Sequence, residues 1–115
     1  MKKITYTPDA ADKLRALKTT IAQEYGTETA KKIVKRIMDA IRSLREQEEK
    51  GPQVSQMFGI NSDYRYLFIC RNYVFYRIED HYIRIINLYH EREDFMWKLF
   101  GIDTTPQETI DYWNE

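Results

Sequence analysis

The chain has 115 residues, 43% of them hydrophobic and 14% aromatic, with 18 basic side chains balanced by 18 acidic ones. That length holds one domain, and nothing in it approaches the ~20 consecutive apolar residues of a membrane span. The single cysteine, Cys70, excludes an intrachain disulfide and a cysteine-based metal centre. The opening Met1-Lys2-Lys3-Ile4-Thr5-Tyr6 lacks the apolar run of a signal peptide, so a reduced, cytoplasmic protein is expected. The zero net charge hides an asymmetry. Residues 1–50 carry 12 Lys/Arg against 8 Asp/Glu, whereas residues 102–115 carry four acids and no base. A modestly basic body ending in an acidic tail is too weakly charged for a general nucleic-acid binder.

Taken in chain order, Ile4-Thr5-Tyr6 reads as a short strand. Thr7-Pro8 then gives an N-cap followed by proline at the first helical position. Ala11, Leu14, Leu17, Ile21 and Tyr25 recur at three- and four-residue steps, one face of a helix that Gly26 closes. Thr27 is placed to cap a second helix, on which Ala30, Ile33, Val34, Ile37, Ile41 and Leu44 form an apolar stripe. Lys31, Lys32, Lys35 and Arg36 on its other side read as a solvated face. This helix should give out across Glu46–Lys50, ahead of Gly51-Pro52.

The second half is β in character. Tyr64 to Arg71, Tyr73 to Glu79 and Tyr82 to Tyr89 are rich in Tyr, Phe, Ile and Val, and Arg71-Asn72 and Asp80-His81 sit where tight turns are needed. Alternation puts Tyr64, Tyr66, Phe68 and Cys70 on one face and Arg65, Leu67, Ile69 and Arg71 on the other. Val54 to Phe58 is a candidate edge strand. A short helix from Arg92 or Glu93 to Phe100 ends at Gly101. The fold expected is α+β: an N-terminal strand and antiparallel helix pair packed on an antiparallel meander, with a short C-terminal helix. Residues 1–101 form the domain, and 102–115 an acidic appendix. Within that appendix Thr105-Pro106-Gln107-Glu108 has a capping-box pattern, with Ile110 and Trp113 three apart. A short helix docking back on the body is therefore expected.

Chemistry is sparse. There is no glycine-rich phosphate loop, nucleophile elbow or metal-binding motif, so no cofactor and no metal are expected. His81 falls in a turn. His90 stands where the last strand leaves the sheet, in Tyr89-His90-Glu91-Arg92-Glu93-Asp94. Two readings of that polar run stand level: a functional exit, or an Arg92 ion pair with Glu93-Asp94 starting a helix.

The order strand, helix, helix, meander, short helix resembles that of the RelE/ParE toxin superfamily. The run Tyr73-Val74-Phe75-Tyr76, followed by His90-Glu91-Arg92-Glu93-Asp94-Phe95-Met96, is most similar to its ParE branch. The resemblance covers residues 1 to about 101. It implies a toxin of a type II toxin–antitoxin system, neutralised by a cognate antitoxin, with DNA gyrase as the target. Tyr73, His90, Glu91 and Arg92 are then the target-binding candidates. The alternative is a RelE-like enzyme cleaving mRNA on the ribosome, for which Arg65, Arg77, His90 and Arg92 are the catalytic candidates. RelE-type members usually carry an arginine on the central strand just before an apolar-apolar-Tyr run; Tyr73 stands there in this chain. A non-toxic protein-interaction module of the same fold is the remaining alternative.

Overall fold

A computed structural model describes residues 1–102; the expected capping box and Ile110/Trp113 stripe lie outside the described residues. The elements are β1 (Lys3–Tyr6), α1 (Pro8–Tyr25), α2 (Thr27–Ser43), α3 (Val54–Phe58), β2 (Arg65–Ile69), β3 (Asn72–Ile78), β4 (Tyr82–His90) and α4 (Phe95–Phe100). The four strands form one sheet in the order β1-β4-β3-β2. β2, β3 and β4 make the expected antiparallel meander. β1 joins its far edge parallel to β4, with Ile4 opposite Ile83 and Tyr6 opposite Ile85. The expected α+β class holds, with a mixed sheet.

Thr7 makes the first junction. Its Oγ1 accepts from the Ala10 N–H at 3.1 Å and donates to the Ile86 carbonyl at 2.6 Å. One side chain thus caps α1 and ties it to β4. α1 and α2 then lie across one face of the sheet. Ala10, Ile37, Ile41 and Leu44 pack there on Leu67, Val74, Tyr76, Ile83, Ile85 and Leu88. Of the stripe expected of α2, Ile37, Ile41 and Leu44 enter this core and Ile33 packs against it, with Leu44 just past the helix end. Tyr25 does not belong to the core: it is 68% exposed, at the turn that joins α1 to α2.

The other face carries a second, aromatic core. Val54, Ile60, Tyr66, Phe75, Tyr89 and Phe95 are buried together, with Phe58 and Phe100 packed against them. Ring centroids lie 5.2 Å apart for Phe75–Phe95 and 5.4 Å for Phe58–Phe95, in the range of favourable tilted and edge contacts. The short helices α3 and α4 cover this face.

Several local expectations are corrected. Val54–Phe58 is a helix, not an edge strand: only Gln53 bridges to Arg65, and Gly59 in the left-handed region closes the single turn. Thr27 is the first residue of α2 rather than its cap, because Gly26, at φ 95°, serves as the junction of both helices. α2 ends at Ser43, earlier than expected, and passes into turns. α4 starts only at Phe95, where the Asp94 carboxylate accepts from the Trp97 N–H. The first hairpin turns at Cys70-Arg71, not Arg71-Asn72. Both have positive φ, 52° and 65°, as a two-residue type I′ turn requires. Asn72 is buried in β3, its Nδ2 donating to the Cys70 carbonyl at 2.8 Å. Cys70 accordingly packs with the helix-side core rather than with Tyr66.

A bulge breaks the alternation of β4. Phe75 faces Asn87 whereas Tyr76 faces Ile85, leaving Ile86 without a partner on β3. Ile83, Ile85 and Leu88 can therefore all lie on the helix side, while Ile86 and Tyr89 lie on the aromatic side. Among the described residues, no helix is long and apolar enough to cross a membrane.

Candidate functional site

The helix pair overhangs one end of the sheet and leaves a cleft of about 710 Å³ between α1, the start of α2, the β2–β3 turn and the exit of β4. Its apolar floor comes from Ala16, Leu17, Ile21, Ile33 and Leu88. Its polar rim comes from Lys13, Arg71, His90, Arg92, Glu93 and Glu24. A volume of this size lies within the range of ligand-binding pockets.

The rim is held by a network around the last strand. The Glu91 N–H donates to the Arg71 carbonyl at 2.8 Å, and the Arg71 guanidinium reaches the Glu91 carboxylate at 2.9 Å. The two positive-φ residues of the turn, a conformation that costs about 1–2 kcal/mol each for L-residues, are thus tied to the β4 exit. The Glu93 carboxylate accepts from the His90 N–H at 2.8 Å and pairs with Lys98 at 3.0 Å. The Arg92 N–H donates to His90 Nδ1 at 3.2 Å. Its side chain is exposed and takes part in no ion pair among the described residues. The reading of Arg92 as an internal ion-pair partner is therefore not borne out.

Lys13, from α1, donates to the Leu88 carbonyl at 2.9 Å and lies 3.5 Å from the Tyr89 ring centroid. Burial pushes the Lys13 ammonium below its usual range, against the pull of Glu93. No sequence pattern marks Lys13: its place over Tyr89 depends on the packing of α1 on β4, which buries Ala10 rather than the expected Ala11. For Glu93, burial works upward, but the His90 N–H, Lys98 and Lys13 outweigh it and hold the carboxyl below the usual carboxylate range. A carboxyl lowered by folding contributes stability above its unfolded pKa of about 4.3 and loses it as pH falls through the folded value. Thermal melts from pH 7 to pH 3 should therefore show Glu93→Gln less stable than the parent at neutral pH, with the difference closing below about pH 4. The side chain is 35% exposed, so solvent screening keeps the difference under about 1 kcal/mol.

The remaining sequence candidates fall elsewhere. Tyr73 is half-buried on the aromatic face, with centroids 4.8 Å from both Phe68 and Phe95. Arg65 donates to the backbone carbonyls of Gly51, at 2.8 Å, and Glu49, at 3.2 Å. Arg77 pairs with Asp63 at 2.9 Å. His90 is opposite Asn72, whereas Arg65 is opposite Tyr76 and Arg77 is opposite Arg84. At ~3.4 Å per residue, Arg65 and Arg77 start about 14–17 Å along the sheet from His90. The fold gathers His90, Glu91 and Arg92 at one end and leaves Arg65 and Arg77 at the other. His81 lies exposed in its turn, and Lys31, Lys32, Lys35 and Arg36 are exposed on α2. Among the described residues, no group of three or more His, Cys, Asp or Glu side chains is placed to hold a metal.

A strand and helix hairpin on a four-stranded sheet, with a cleft at the meander's exit, define the class of fold. It is shared with a solved structure described as the chromosomal ParDE TA system from P. aeruginosa. That chain matches with a TM-score of 0.65 at 20% identity, over 78% of this chain and 96% of that one. The family follows from the sequence match: the family model described as "ParE toxin of type II toxin-antitoxin system, parDE" covers residues 4–95, and the chain belongs to that family. No curated protein matches the chain. As a toxin of such a system, the protein has an antitoxin as its partner.

Proposed function

We propose that this toxin acts in the cytoplasm by poisoning DNA gyrase, and that its antitoxin neutralises it by covering the cleft. His90, Glu91 and Arg92 are assigned to the target contact, with Tyr73 supporting them from the opposite face. The observation that carries the reading is that Arg65 and Arg77 lie at the far end of the sheet from His90 and Arg92. Ribosome-dependent mRNA cleavage needs converging groups to move protons and to stabilise charge on a reacting phosphate. Here Arg65 is committed to two backbone carbonyls, Arg77 to Asp63, and Tyr73 is packed among aromatic rings. A binding surface makes no such demand. It needs an exposed anchor on a rigid support, and Arg92 beside the braced β2–β3 turn supplies one.

Purified protein added to gyrase supercoiling reactions and, separately, to translating ribosomes discriminates between the two toxin activities. Inhibited supercoiling with intact ribosome-bound mRNA is expected. Cleaved mRNA with unaffected supercoiling would replace this reading with the RelE-like one, and neither effect would leave an interaction module.

A further inference from the structure

The cleft and the chain's own last residues have matching chemistry. The floor is aliphatic, and the rim presents Lys13 and Arg92, with Arg71 already paired with Glu91. Of the two rim carboxylates, Glu93 is already paired with Lys98. Residues 103–115 carry four acids and no base, with Ile110 and Trp113 interleaved between Glu108, Asp111 and Glu115. Position favours an encounter as well. The Lys98–Glu93 pair sets one side of α4 against the cleft rim. Ile102, whose N–H donates to the Met96 carbonyl at 2.9 Å, follows Lys98 by about one turn. Thirteen residues at ~3.3 Å each span about 43 Å, beyond the 38 Å second dimension of the molecule. Reach therefore does not limit where the segment lands.

We propose that residues 103–115 occupy this cleft, seating Ile110 and Trp113 on Leu17, Ile33 and Leu88 with the segment's carboxylates toward Lys13 and Arg92. The segment is covalently tethered, so the cleft meets it at a high effective concentration and modest contacts suffice to fill the site. It also places acid beside Lys13, whose ammonium burial disfavours. A partner entering the same cleft must displace the segment, which makes residues 103–115 a built-in competitor and lowers the partner's apparent affinity.

The test is NMR on the full chain with labelled methyl groups. Nuclear Overhauser contacts are expected between the Trp113 ring and the methyls of Leu17, Ile33 and Leu88. The full-length double variant Ile110→Ser/Trp113→Ser should abolish those contacts and shift the same three methyls. Contacts from Trp113 to Met57 or Phe58 on the aromatic side would overturn the proposal, as would no contact between Trp113 and the body. The proposal shares its cleft with the antitoxin reading above. The measurement needs no antitoxin, so a negative result would leave that reading standing.

Discussion

Gly51→Ala is expected to lose about 3 kcal/mol of stability or more, at the upper end of what overpacking costs, and to fail to accumulate as folded protein. A Cβ at position 51 would lie 2.3 Å from the Tyr66 carbonyl oxygen and 2.8 Å from the Tyr76 hydroxyl. The first of these is backbone in the β2 edge and cannot swing away. The second belongs to a phenol that accepts from the Gly51 N–H at 3.0 Å and donates to the Glu48 carbonyl at 2.7 Å. Burial raises the Tyr76 pKa, so the phenol stays neutral and keeps both bonds. Moving it would leave a buried N–H and a carbonyl without partners, a further ~1–3 kcal/mol for each such group. Chemical denaturation compared with Tyr76→Phe separates these costs. Tyr76→Phe should lose only the hydrogen-bonded share, and equal losses in the two variants would show that the close approach of Gly51 is not limiting.

Arg92→Ala is expected to cut growth inhibition by tenfold or more while leaving circular dichroism and melting temperature within error of the parent. The guanidinium is exposed and holds no ion pair among the described residues, so its loss breaks no ion pair among them. An arginine anchor at a binding surface commonly contributes 2 kcal/mol or more, about a thirtyfold change in affinity. Glu91→Ala makes a useful contrast, because it also releases Arg71 and the braced turn. A folded Arg92→Ala that remains fully toxic would remove Arg92 from the target contact.

Much of the fold was legible because local signals agreed with the tertiary result. Thr7-Pro8 capped α1 as read, Ile37, Ile41 and Leu44 of the α2 stripe entered the core, and Asp80-His81 formed the second turn. What failed did so where tertiary geometry overrode local pattern. Strict alternation does not survive the Ile86 bulge, and no composition rule favours two consecutive positive-φ residues at Cys70-Arg71. Val54–Phe58 has an apolar residue at each end and could read as strand until Gly59 closed its turn. The site was half legible. His90, Glu91 and Arg92 are adjacent in sequence, so their grouping at the β4 exit needed no fold. Lys13 comes to them from α1, and Arg65 and Arg77 could be separated from them only once the strand register was known.

The parallel pairing of β1 with β4 also bears on how the toxin comes into being. Thr7 and the Ile86 carbonyl it donates to are 79 residues apart, so the first strand waits for nearly the last before the sheet can close. At roughly 5–20 residues per second of synthesis, that wait is about 4–16 s. During it the α1–α2 hairpin can form from local contacts, but the cleft lacks both its Leu88 floor and its His90–Glu93 rim. The nascent chain therefore has no complete cleft until residues 86–93 have been made, and a partner that uses the cleft meets it no earlier than the closing of the sheet.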